Sequence, residues 1–183
     1  MPLPGKEYYT YEDYASWPDD VRYELIEGVP YRMSPGPTRS HQKISGAIFN
    51  QLYNYLEGKQ YEVYAAPFDI RLNADAEDDT VVQPDILVVC DPEKLDEKGV
   101  KGAPDVVVEI LSPSTEKFDA LVKLNLYRKY GVKEYWIVNP AAKVVTVHLL
   151  KDGEYVISAY GGNDAAPVTM LKDCEIDLSK VFA

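Results

Sequence analysis

Two runs of β-branched residues limit what this chain can fold into: Val81-Val82-Gln83-Pro84-Asp85-Ile86-Leu87-Val88-Val89 and Asp105-Val106-Val107-Val108-Glu109-Ile110-Leu111. Sequence of this kind belongs to central strands covered on both faces, deep in a sheet. Each run nevertheless carries a carboxylate, Asp85 or Glu109, among residues that favour burial. A buried unpaired carboxylate costs several kcal/mol, so the fold must supply a basic side chain or a bound cation.

The rest of the chain predicts an α/β fold around a central mixed β-sheet flanked by α-helices, with an N-terminal helix and β-hairpin in front. Thr10-Tyr11-Glu12-Asp13 begins like a capped helix that ends at Trp17-Pro18-Asp19-Asp20. Tyr23 to Ile26 and Val29 to Met33 flank Glu27-Gly28 as a hairpin, and Ser34-Pro35-Gly36-Pro37 breaks regular structure. From Ser40 to Glu57 the spacing of Ile44, Ile48, Leu52 and Leu56 predicts an amphipathic helix. Strands are expected at Tyr61 to Ala66 and Phe68 to Leu72, and a polar surface excursion from Asp91 to Gly102, with a helical turn at Pro92 to Asp96. After the second run, Ser112-Pro113-Ser114-Thr115 supplies caps for a helix from Glu116 to Tyr130. Strands follow at Tyr135 to Val138, Val144 to Leu150 and Tyr155 to Tyr160, the last two forming a hairpin. Strand, helix, strand implies a crossover, and no repeat or linker divides the chain, so residues 1–183 are expected to form a single domain.

Composition removes several function classes. A net charge of -11 argues against an extended nucleic-acid surface, though not against a local basic patch. Two basic groups qualify by sequence, Arg32, Arg39, His41 and Lys43, and then Lys123, Arg128, Lys129 and Lys133; each alone reads more simply as a solvated helix face. No apolar run approaches a membrane span and the N-terminus lacks a signal-peptide core, so cytoplasm is expected and membrane is not. Cys90 and Cys174 are too few for a disulfide framework and lack metal-ligand spacing, which leaves buried free thiols.

Asp85 follows Pro84, which suits the start or edge of a strand, and Glu109 ends its strand, so both can meet at one sheet edge. Asp119, Lys123 and Tyr127 recur every four residues as a polar helical stripe from which Lys123 can point back to Glu109. Two hard carboxylates suit Mg²⁺ or Mn²⁺ with positions left for water and a phosphate oxygen. The plainer readings stay open: Asp85 as a turn cap, and Glu109 as half of a structural ion pair with Lys123.

Arg22-Tyr23-Glu24-Leu25-Ile26-Glu27-Gly28, Val82 to Asp85, Val108 to Thr115, Asp119 to Tyr127 and Glu134 to Val138 together resemble the Uma-two family of endonucleases, over nearly all of the chain from Tyr11 onward. The resemblance implies the restriction-endonuclease-like core, the PD-(D/E)XK nuclease fold. Carried over by motif, Asp85 and Glu109 match the metal-binding carboxylates, and Glu24 matches the acidic residue of the first motif. The general pattern places a lysine two residues after the glutamate, where this chain has Leu111; Lys123 is the natural substitute.

The implied activity is metal-dependent hydrolysis of phosphodiester bonds in DNA, with Asp85, Glu109 and the Ile110 carbonyl holding one or two ions. Glu24 assists through a ligand or water, and Lys123 orients the attacking water or stabilises developing charge. Two other classes compete: a catalytically inactive nuclease-fold protein with a binding or regulatory role, and a metal-dependent hydrolase acting on something smaller than duplex DNA. His41 and Tyr127 read as residues that pack or cap, or stand behind the site, and Gln83 receives no role. A homodimer is compatible with the sheet having edges to pair.

Overall fold

Antiparallel pairing decides where the two carboxylate-bearing runs come to lie. The computed structural model describes residues 5–18, 21–33, 36–112 and 119–183, without the side chains of residues 119 and 120. Outside the described residues lie the expected turn at Asp19-Asp20, the break at Ser34-Pro35, the caps at Pro113-Ser114-Thr115 and the helix start at Glu116 to Phe118. The side chain of Asp119, in the expected polar stripe, is likewise outside them.

Helix α1 (Tyr11–Tyr14) is a single turn, followed by the hairpin β1 (Tyr23–Ile26) and β2 (Val29–Arg32). Its two-residue turn puts Glu27 and Gly28 at φ of 49° and 76°, as a tight hairpin turn requires. At Gly28 an added Cβ would stand 2.3 Å from the ring of Tyr8, so close approach as well as φ calls for glycine.

Helix α2 (Arg39–Leu56) is capped by Thr38, whose hydroxyl accepts from the His41 N–H at 3.2 Å, and it buries Ile44, Ile48, Leu52 and Leu56 as their spacing predicts. The strands β3 (Glu62–Ala65), β4 (Ile70–Arg71), β5 (Val81–Val82), β6 (Ile86–Val89), β7 (Leu95–Asp96), β8 (Gly99–Lys101) and β9 (Val106–Ile110) follow. A π-helical turn over Asp119–Lys123 leads into α3 (Leu124–Tyr130), closed by Gly131 at φ 81°. Then come β10 (Glu134–Asn139), β11 (Val144–Lys151), β12 (Glu154–Gly161), β13 (Ala165–Pro167), β14 (Glu175–Asp177) and α4 (Leu178–Val181).

Among the described residues the strands form two six-stranded sheets, ordered β2-β1-β5-β4-β8-β7 and β12-β11-β10-β9-β6-β3, and a small β13-β14 pair. The second is the mixed sheet anticipated from sequence: β9 runs parallel to β10 and antiparallel to β6, and all five of its residues are buried. One face packs on α2 through Val106, Val108 and Ile110; the other carries Val107 toward α3 and the first sheet, meeting Leu126, Tyr127 and Val82.

Three expectations change. The run at 81–89 is two short strands in different sheets, because Pro84 cannot donate to a ladder and the chain crosses between sheets at Gln83-Pro84-Asp85. The strand expected at Phe68 to Leu72 shrinks to Ile70–Arg71. The polar excursion after Asp91 holds the anticipated turn as a 3₁₀ segment at Pro92–Lys94, but its end returns as β7 and β8, with β8 parallel to β4. The sequence reading assigned nothing beyond Tyr160, where β13, β14 and α4 complete the core against α2 through Ala166, Ile176 and Leu178.

Candidate active site

Antiparallel pairing of β6 with β9 sets Ile86 opposite Val108, so the next step along the ladder brings Asp85 to Glu109 at one end of the sheet. Oδ2 of Asp85 accepts the Ile110 N–H at 2.7 Å and lies 3.1 Å from His41 Nε2 at the start of α2. No hydrogen bond to Oδ1 of Asp85 occurs among the described residues. The carboxylate is therefore oriented by the strand beside it and the helix above it.

Glu109 takes its partners from the helical side. Oε1 of Glu109 accepts from Lys123 Nζ at 2.7 Å and from the Tyr127 hydroxyl at 2.9 Å. Lys123 also donates to Oε1 of Glu24 on β1 at 2.9 Å, and that oxygen accepts the Gln83 N–H at 2.9 Å. Lys123, Glu24 and Glu109 have side chains only 5%, 4% and 6% exposed. One ammonium thus serves both Glu24 and Glu109, and the β6–β9 register sets Asp85 beside them. Lys123 ends the π-helical turn, a local irregularity that recurs at functional sites.

All the residues singled out from sequence converge here: Glu24, Asp85, Glu109, Ile110 and Lys123. The two members of the polar stripe with described side chains, Lys123 and Tyr127, both reach Glu109. The Tyr127 hydroxyl is held well above its usual pKa by burial and by Glu109, so it stays a donor.

Gln83, given no role by sequence, is a junction. Its Nε2 donates to Asp69 Oδ1 at 2.6 Å and to the Tyr14 hydroxyl at 3.0 Å, while Oε1 accepts from Arg22. Burial raises the Asp69 carboxyl despite those donors. A glutamine before Pro-Asp gives no periodic signal, and its partners come from residues 14, 22 and 69, so only the folded chain reveals them.

The second basic group is not a patch. Arg128 pairs with Glu154, Lys129 with Glu27 and Lys133 with Asp105. Of the first group, His41 faces the site, whereas Arg39 and Lys43 are exposed.

Among the described residues no set of three or more His, Cys, Asp and Glu is arranged to hold a metal ion. Mg²⁺ is often bound through only one or two protein carboxylates, the rest of its shell being water and substrate phosphate. Hard oxygens at Asp85 and Glu109 fit that pattern; they do not fit zinc, which favours imidazole and thiolate.

A family model described as "Uma2: Putative restriction endonuclease" matches residues 11–179. An uncharacterized protein of Synechocystis sp., slr1290, is 29% identical over 157 residues, which is 84% of this chain and 80% of the relative. The structure is similar to the crystal structure of a putative nuclease belonging to DUF820 from Anabaena variabilis, with a TM-score of 0.76 and 17% identity over 95% of this chain and 97% of that one. At that identity the likeness speaks for a shared nuclease-like α/β fold.

Proposed function

The chain belongs to the Uma2 family, described as putative restriction endonucleases, and on that premise we propose that it is a metal-dependent endonuclease hydrolysing phosphodiester bonds in DNA. The observation that carries this reading is the meeting of Asp85 and Glu109 at one sheet end with Lys123 on Glu109. Asp85 and Glu109 would hold Mg²⁺ or Mn²⁺, with the Ile110 carbonyl as a further oxygen. Such an ion, when bound, lowers the pKa of water and offsets charge on a phosphate.

The chain's own groups do the rest. Lys123 offers a fixed ammonium to the attacking water or to the charge that develops on the phosphate oxygens. Glu24 shares that ammonium and holds it in place. The water oxygen bonds to phosphorus, the bond to the leaving sugar oxygen breaks, and the proton passes to that oxygen, so no covalent enzyme intermediate is needed.

Two free thiols suit a reducing compartment, which supports a cytoplasmic protein. Among the described residues no helix is long and apolar enough to cross a membrane. One family model spanning 11–179 supports treating residues 1–183 as one domain. A homodimer is the assembly to test by light scattering.

Cleavage assays in Mg²⁺ and Mn²⁺ over several DNA forms, with wild type beside Asp85→Ala and Lys123→Ala, test the proposal. Wild-type cleavage should exceed that of either variant by about 10²- to 10³-fold; equal cleavage by all three would mean a contaminant. The buried ion pairs of Lys123 with Glu24 and Glu109 favour one alternative, an inactive nuclease scaffold with a binding or regulatory role, for which wild type would neither cleave DNA nor take up Mn²⁺.

A further inference from the structure

Lys123 and Tyr127 are four residues apart, and both donate to the same oxygen of Glu109, at 2.7 Å and 2.9 Å. The two donors differ in kind. An ammonium on a four-carbon stem supplies charge but little direction, and it donates to Glu24 as well as to Glu109. A tyrosine has two side-chain torsions, and this one is fully buried with its ring edge-on to Tyr135 at 4.9 Å. Packing alone would be met by phenylalanine; the hydroxyl adds only the bond to Glu109.

We propose that Tyr127 is a positioning residue, which fixes the plane of the Glu109 carboxylate and thereby sets the affinity of the site for a divalent cation. The inference rests on the nuclease reading above and deepens it. It distinguishes two jobs at Glu109: Lys123 balances the charge, and Tyr127 aims the oxygens. Groups that orient a metal-binding side chain typically change metal affinity or activity by about 10- to 100-fold when removed.

Tyr155 supplies the control. Its hydroxyl donates to the Val132 carbonyl at 2.9 Å, on the same side of the second sheet but on another residue's backbone. Isothermal titration with Mn²⁺, read beside thermal melts, compares wild type, Tyr127→Phe and Tyr155→Phe. Tyr127→Phe should bind Mn²⁺ about 10- to 100-fold more weakly, while Tyr155→Phe matches wild type. Equal affinity in all three overturns the inference and leaves the nuclease reading standing. Equal weakening in both variants also overturns it, since any lost buried hydroxyl would then suffice. No Mn²⁺ binding by wild type overturns the metal-dependent reading and this inference together. Should Tyr127→Phe fail to fold, 4-fluorophenylalanine placed at position 127 fills the hydroxyl's place without donating a hydrogen bond; it should weaken Mn²⁺ binding to a similar extent, and unchanged Mn²⁺ affinity overturns the inference.

Discussion

Lys123 reaches Glu109 from a helix, Nζ to Oε1 at 2.7 Å, rather than from two residues after Glu109, where Leu111 stands just past the end of β9. The π-helical turn before α3 delivers the ammonium into the space between β9 and β1, and there it closes on Glu24 as well.

Removing that ammonium takes away the cation that Glu24 and Glu109 share. Lys123→Met should cost about 3–5 kcal/mol in urea unfolding, the usual result of breaking a buried ion pair from one side. Adding Glu24→Gln and Glu109→Gln should recover much of the loss, because the two carboxylates that shared the ammonium are then neutral amides. A urea midpoint for Lys123→Met equal to that of wild type would contradict the trio.

The position of the site was legible because its parts obey local rules. Pro84 marks a strand boundary, Glu109 interrupts an apolar run, and Lys123 and Tyr127 share a helical face. Helix α2 was equally plain from its four-residue spacing. The division into two sheets was not, since β4, β5 and β7 are only two residues long and owe their existence to pairing across the chain rather than to a periodic pattern. The C-terminal pair β13 and β14 escaped notice for the same reason. Gln83 and His41 show the limit most clearly: each acts through partners distant in sequence, and nothing beside them in the chain announces it.

Asp105 should make stability depend on pH. It is 4% exposed, accepts the Cys90 N–H at 2.7 Å and pairs with Lys133 at 2.6 Å. Burial pushes its carboxyl up, but Lys133 and the Cys90 N–H outweigh burial and hold it below the ordinary 3.8. A depressed folded-state pKa contributes stability that is present above the unfolded value and lost as pH falls through the folded one. Asp105→Asn should therefore destabilise by about 1–3 kcal/mol at neutral pH, with the gap closing in strong acid. A gap that is constant with pH would place the effect in packing instead.

Both thiols should resist modification in the folded protein. Burial, aided by Asp105, pushes Cys90 up to about 12, and burial pushes Cys174 up to about 11. Thiolate is the reactive form, so at pH 8 an aromatic disulfide reagent should label both slowly until urea unfolds the chain. Rapid labelling of native protein at either position would show that the thiol is open to solvent.

Gln83 should matter more to the site than its surface-like composition suggests. Its side chain ties Arg22, Tyr14 and Asp69 together while its N–H holds Glu24, and Asp85 lies two residues further on. Gln83→Ala removes the amide donor from a carboxyl that burial already raises, and should cost about 1–3 kcal/mol. Gln83→Glu is the sharper test, because it sets a second carboxylate beside Asp69 in place of the donor. Repulsion then raises at least one of the two pKa values above its unfolded value. Stability of Gln83→Glu should approach that of Gln83→Ala below the unfolded carboxylate range and fall away as pH rises through the raised value. Urea midpoints across that range measure it. Mn²⁺ affinity should weaken alongside, since the crossing that carries Asp85 loses its anchor to the first sheet; a Gln83→Glu protein as stable as Gln83→Ala at neutral pH would mean that pairing with Arg22 outweighs repulsion from Asp69.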